Sequence, residues 1–219
     1  MKKTLFASVL SLVLLSGCLE KAPSLSELKD APNGTLIELA KEGDSNAQYV
    51  LGVRYSKGEW TEKDASQAVY WLSKSAEQGN AEGQASLGMM YFSGSGITQD
   101  YKQAALLFRE AAEKGLARAQ ASLGILYFEG KGVERSESES FKWIKKAAEQ
   151  GDVDSQYNLG HLYRNDNPVE AYAWYSVAIA NGYSQVIDRQ AQARNEMGRE
   201  NFEKADALAA SYIEKFKNK

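Results

Sequence analysis

The side chains that usually carry out catalysis are nearly missing from this 219-residue chain, which has one cysteine, Cys18, and one histidine, His161. A catalytic histidine works with a nucleophile or an orienting carboxylate at hydrogen-bond reach, and the sequence indicates neither near His161. A lone thiol excludes intrachain disulfides and thiolate metal clusters. The strings Gly94-Ser95-Gly96 and Gly130-Lys131-Gly132 have the glycine density of a phosphate loop. Dinucleotide fingerprints, however, follow a strand, and these strings recur between helical segments. They read as turns. No catalytic residue is assigned, and no cofactor or metal is expected.

Cys18 has a chemistry of another kind. Lys2 and Lys3 precede an apolar run from Leu5 to Leu15 that is short for a bilayer span, and the small residues Ser16 and Gly17 complete an export leader. The string Leu15-Ser16-Gly17-Cys18 resembles a bacterial lipobox. That resemblance implies that residues 1–17 are removed and that Cys18 is lipidated as the new N-terminus. Each buried methylene contributes about 0.8 kcal/mol, so several acyl chains anchor a protein without a transmembrane helix. No apolar stretch after Cys18 approaches the ~20 residues a span needs. Leu19 rather than Asp follows the cysteine, which in the sorting pattern of such lipoproteins implies the outer membrane, facing the periplasm. The formal charge is −3, and −5 once Lys2 and Lys3 leave with the leader. An acidic chain is a poor partner for nucleic acid.

The rest of the chain is organised by repetition. Gly43, Gly79, Gly115 and Gly151 are spaced by 36 residues, and the same interval relates Gln48, Gln84, Gln120 and Gln156. Leu51, Gly52 and Tyr55 recur in the same way through Leu159, Gly160 and Tyr163. Each unit reads as two helices. In the first helix of unit one, Ala47, Val50, Leu51 and Tyr55 fall at helical spacing, with Gly58 placed to end it. The second begins at an N-cap followed three residues on by an acidic or amide side chain: Asp64 with Gln67, Asp100 with Gln103, Ser136 with Glu139, Asn167 with Glu170. Gly52, Gly88, Gly124 and Gly160 sit mid-helix, where glycine costs about 1 kcal/mol. Close crossing of the two helices is the expected reason, with Ala68, Ala104, Ser140 and Ala171 facing the glycines. Trp71, Trp143 and Trp174, with Phe108 in unit two, read as core or ridge residues of the second helix. Unit four is clipped, with eight steps from Tyr163 to Ala171 where earlier units have thirteen.

The strings Ala76-Glu77-Gln78-Gly79, Gln84-Ala85-Ser86-Leu87-Gly88 and Ala111-Ala112-Glu113-Lys114-Gly115, with Tyr91 and Gly94-Ser95-Gly96-Ile97 between them, resemble a Sel1-like repeat. The resemblance implies an all-α, right-handed solenoid of antiparallel helix pairs, related to tetratricopeptide arrays, with about four repeats. The expected organisation is a leader over 1–17, the lipidated cysteine and a flexible tether over 18–34, the solenoid over 35–182, and a C-terminal helical cap over 183–219. Leu36, Ile37 and Leu39 read as the second helix of a truncated leading unit. In the cap, Phe202, Ala205, Leu208, Tyr212 and Phe216 form the buried stripe of a final helix.

A solenoid offers an extended concave surface, so the expected function is binding of another protein at the membrane. Carrying the tetratricopeptide pattern onto the first helices puts three rows on that surface: Tyr49, Ala85, Ala121 and Tyr157; Val53, Met89, Ile125 and His161; Ser56, Phe92, Phe128 and Arg164. The competing reading is that the phenylalanines fill the core between units. Trp60, outside the pattern, is either an interaction anchor or a loop tryptophan folded onto its own repeat. Two other functions are compatible with the resemblance: an immunity protein neutralising a periplasmic toxin such as a phospholipase, and an envelope hydrolase. Hydrolase activity was described for cysteine-rich relatives whose paired cysteines this chain lacks. Replacing Cys18→Ser should release the protein from membranes without changing its helicity or melting temperature; retention of the variant on membranes washed in high salt would overturn the lipobox.

Overall fold

Residues 23–59 and 62–217 are described by a computed structural model. Among them are twelve α-helices and no strand: α1 (Leu25–Lys29), α2 (Asn33–Glu42), α3 (Ser45–Lys57), α4 (Ala65–Glu77), α5 (Ala81–Ser93), α6 (Tyr101–Glu113), α7 (Ala117–Glu129), α8 (Glu137–Glu149), α9 (Val153–Tyr163), α10 (Pro168–Ala180), α11 (Ile187–Glu196) and α12 (Phe202–Phe216). Helices α3 to α10 form four antiparallel pairs stacked in sequence order as a right-handed solenoid. Among the described residues no helix is long and apolar enough to cross a membrane.

The second helix of every pair starts where its sequence directs. Asp64, Asp100, Ser136 and Asn167 each accept a hydrogen bond from the backbone N–H three residues on, satisfying a donor that the first helical turn leaves unpaired. The backbone N–H of each of these caps bonds in turn to the carbonyl of the last tyrosine of the first helix, at 2.9 Å in unit one and 2.7 Å in the clipped unit four. Five missing residues therefore shorten the loop without undoing the join. The glycine after each first helix of units one to three, Gly58, Gly94 and Gly130, takes the left-handed conformation that ends it.

The mid-helix glycines do not face other small residues. A Cβ on Gly52 would lie 2.7 Å from Leu72 Cγ, on Gly124 2.7 Å from Ile144 Cγ1, and on Gly160 2.7 Å from the Tyr175 ring, while on Gly88 it would meet the Phe108 ring at 3.0 Å. Each glycine is the seat of one large side chain, and Ala68, Ala104, Ser140 and Ala171 lie buried one turn away. Phe108 thus belongs with Leu72, Ile144 and Tyr175; the tryptophan position of unit two is Leu107, because the repeat interval from Trp71 lands there. Trp71, Trp143 and Trp174 are buried, as expected.

A buried glutamine joins units one, three and four to the helix before. Gln48, Gln120 and Gln156 donate to the carbonyls of Ala40, Ala112 and Ala148 near the end of the preceding second helix, at 2.9, 3.0 and 3.2 Å. Their side-chain carbonyls accept from Gln78, Gln150 and Asn181 at the end of the second helix of their own unit. In unit two Lys114 takes that place, bonding both Gln84 (2.9 Å) and the Gly79 carbonyl (2.6 Å), and Gln84 donates to Glu110 instead.

Much of the segment expected to be a flexible tether is folded. Leu28 is 1% and Ala31 2% exposed, packed with Leu36 and Leu51. Buried Arg54 holds this segment through Lys29 O (2.8 Å) and Asn33 Oδ1 (2.7 Å). Pro32, within that segment, serves as the N-cap residue of α2. At the other end α12 packs on α10. Phe216 and Tyr212 lie 5.1 and 5.0 Å from Trp174, and burial followed by the Glu170 carboxylate pushes the Tyr212 phenol up to about 12. Gly88→Leu should lower stability by about 1–3 kcal/mol or more, because Phe108 and the Ala104 carbonyl leave no room for it; an unchanged thermal midpoint would show that the helices separate freely there.

Candidate functional site

The first helices of the four units, α3, α5, α7 and α9, turn their non-core residues to one face. Three large apolar side chains are exposed on it in the middle units, Met89 (48%), Ile125 (39%) and Phe128 (43%), with His161 exposed beside them on α9. The other expected residues divide by packing. Val53 and Phe92 are half-buried against the core. Phe92 stands edge-on to Tyr101 at 5.4 Å, so core filling describes this phenylalanine better than Phe128. Ala85 is buried and lines no surface, because the start of α5 sits between α4 and α6. Tyr157 is half-buried between the rings of His161, at 6.4 Å, and Tyr175, at 6.0 Å. Arg164 ends α9 as a half-buried C-cap residue. Cys18 and Trp60 lie outside the described residues.

A polar stripe borders the apolar rows toward the start of these helices. Arg118 pairs with Glu82 at 2.5 Å and donates to Ser86 Oγ at 3.1 Å. Tyr49 lies beside this pair; burial raises its phenol pKa, and Arg118 works against that shift. On the other side Arg135 stands 5.8 Å from the Phe128 ring. The arrangement is an apolar centre with a polar border, the composition of binding hot spots.

Where units three and four meet, the face dips into a hollow of about 270 Å³ lined by Ile125, Phe128, Ile144, Leu162, Ser140, Asn158 and His161. A wider depression of about 580 Å³ follows the loop from α7 to α8, where Arg109 donates to the Tyr127 hydroxyl at 2.7 Å. Its two cations are Arg109, so engaged, and Arg135, which pairs with Glu137. Tyr175, a titratable group with a large shift, is fully buried, and burial pushes its phenol up to about 12, so it stays protonated and is no base at neutral pH. Among the described residues no group of three or more His, Cys, Asp or Glu side chains is placed to hold a metal ion.

The Sel1 repeat profile matches residues 45–80, 81–116, 117–152 and 153–183, the four helix pairs found in the fold. The chain belongs to the Sel1 repeat family. It is 36% identical to c5321, a protective antigen present in uropathogenic Escherichia coli strains that displays an SLR fold, over 84% of this chain, with a TM-score of 0.78. It spans 41% of that protein's length. A Sel1 repeat protein from Oxalobacter formigenes is 32% identical over 72% of this chain and 68% of its own, with a TM-score of 0.64. No curated protein matches the chain significantly. Sel1 repeat proteins bind other proteins, and the family suggests a protein–protein interaction module.

The two Sel1 phenylalanines of the face should respond differently to truncation. Phe92→Ala removes a ring packed on the core and should destabilise by about 2–3 kcal/mol, whereas Phe128→Ala should stay within about 0.5 kcal/mol of wild type in urea unfolding. Equal losses would place both rings in the core.

Proposed function

We propose that this Sel1 repeat chain is a lipid-anchored module of the cell envelope, held at the outer membrane through Cys18 and facing the periplasm, that binds a partner protein on the face of its first helices. Exposure of Met89, Ile125 and Phe128 on adjoining units is the observation that carries the reading. Water contact with three large apolar groups on one face is unfavourable, by about 25 cal/mol for each Å² that a partner would cover. Tyr49, Val53, Phe92, Tyr157, His161 and Arg164 border this centre and would contribute shape and polar contacts. An E. coli relative described as a protective antigen fits an envelope or secreted setting.

Affinity capture from the bacterial envelope with the lipidated protein as bait tests the reading. The double variant Met89→Glu with Phe128→Ala should melt like the wild type and lose its partner. Capture undiminished by a well-folded double variant would move binding to another face.

A further inference from the structure

The exposure of Phe128 traces to the residues missing from unit four. In units two and three the glycine loop folds back on the start of the preceding unit's second helix. A Cβ on Gly96 would lie 2.6 Å from the Ala65 carbonyl oxygen, and one on Gly132 would collide with the Tyr101 carbonyl. Lys131, between the two glycines of the unit-three loop, then lies over the rings of Phe92, at 5.7 Å, and Tyr101, at 5.5 Å. This cover helps to keep Phe92 half-buried. The loop that would cover Phe128 in the same way is the one unit four lacks. There the chain runs from Tyr163 to Pro168 through a short turn, and Glu137 at the start of α8 is exposed where Ala65 and Tyr101 are half-buried. Ile144 is also smaller than Phe108, which holds its place between units two and three. A hollow of about 270 Å³ is the result.

We propose that this hollow is the anchor pocket of the binding face, and that it takes one aromatic or branched aliphatic side chain carried beside a carboxylate on a partner protein. The inference rests on the reading of this face as the binding face. Its size falls below the roughly 300–1,000 Å³ of small-molecule sites, which suits a single side chain. Ile125, Phe128, Ile144 and Leu162 supply apolar walls. The carboxylate follows from Arg135, whose guanidinium lies 5.8 Å from the Phe128 ring at the edge of the hollow. Arg135 pairs with Glu137 at 2.9 Å in an exposed contact, and such pairs contribute about 0–1 kcal/mol, so exchange for a partner's carboxylate costs little.

Fluorescein-labelled peptides give the test, titrated against the lipidated protein in nanodiscs: Ser-Asp-Phe-Leu-Asp-Ser, its Ser-Lys-Phe-Leu-Lys-Ser counterpart, and Ser-Asp-Ser-Ser-Asp-Ser. The acidic apolar peptide should bind at least about tenfold more tightly than the other two. Restoring the loop, by replacing Asn165-Asp166 with the unit-three string Glu129 to Arg135, should weaken that binding about tenfold or more. Leu162→Trp fills the hollow without touching the turn and should do the same if the restored loop does not fold. Equal binding of all three peptides, no binding, or binding undiminished in a folded variant overturns the pocket. If envelope capture is lost in Met89→Glu with Phe128→Ala but kept in both pocket variants, the face stands and the pocket falls.

Discussion

The stack depends on a polar clasp at each unit boundary, a buried amide in units one, three and four and Lys114 in unit two. A helix pair of this size cannot bury its own apolar stripe, so each unit must be held against the last in one register. Gln48, Gln120 and Gln156 do this by bonding a carbonyl near the end of the previous second helix while accepting from the end of their own. A buried carbonyl left without a donor costs about 1–3 kcal/mol, so a unit that slips is penalised at both ends. Apolar packing is tolerant of small slides, and the amide is not. The glycine seats then set depth: with no Cβ at Gly52 or Gly124, the first helix settles onto Leu72 or Ile144 until backbone meets side chain.

These two devices leave the first helices with little freedom about which residues they show. The row of Leu51, Leu87, Leu123 and Leu159 is buried, and the row of Met89 and Ile125, two residues on, is turned outward. Loops at the end of the first helix then decide how much of the next row is covered. Lys131 shields Phe92, while the clipped turn of unit four shields nothing of Phe128. A deletion that keeps the Asn167 to Tyr163 bond changes the surface and leaves the helix pair intact. The exposed face of this Sel1 solenoid is in this way shaped by loops as much as by helix positions.

The ends of the stack are closed by unlike means. At the C-terminal end α12 places Tyr212 and Phe216 on Trp174, and its charged residues Glu203, Lys204, Glu214 and Lys215 face water. At the N-terminal end a short helix is held by the guanidinium of Arg54, at a position where Met90, Leu126 and Leu162 provide apolar packing in later units. An apolar residue there packs against a full preceding unit. With only a truncated one before it, Arg54 reaches the carbonyl of Lys29 and the amide of Asn33.

What the sequence determined by itself is whatever a few neighbouring residues decide. The 36-residue interval, the caps Asp64, Asp100, Ser136 and Asn167, the glycine stops and the short turn of unit four all obey rules that act within one turn of chain. The amphipathic stripe of α12 was legible for the same reason. The glutamine interval was legible as well, but its role was not, since its partners lie in another helix. Contacts between units decided the rest. Ala85 and Met89 are one turn apart on α5, yet one is buried and the other open, a difference that helical spacing alone does not give. Leu28 is core in a segment that Arg54, distant in the chain, fastens at the Lys29 carbonyl. Phe92 and Phe128 occupy the same place in the repeat and differ in the loop of the unit that follows and in the ring of Tyr101, which packs on Phe92 where unit three has exposed Glu137; how far these cover each ring belongs to the tertiary structure.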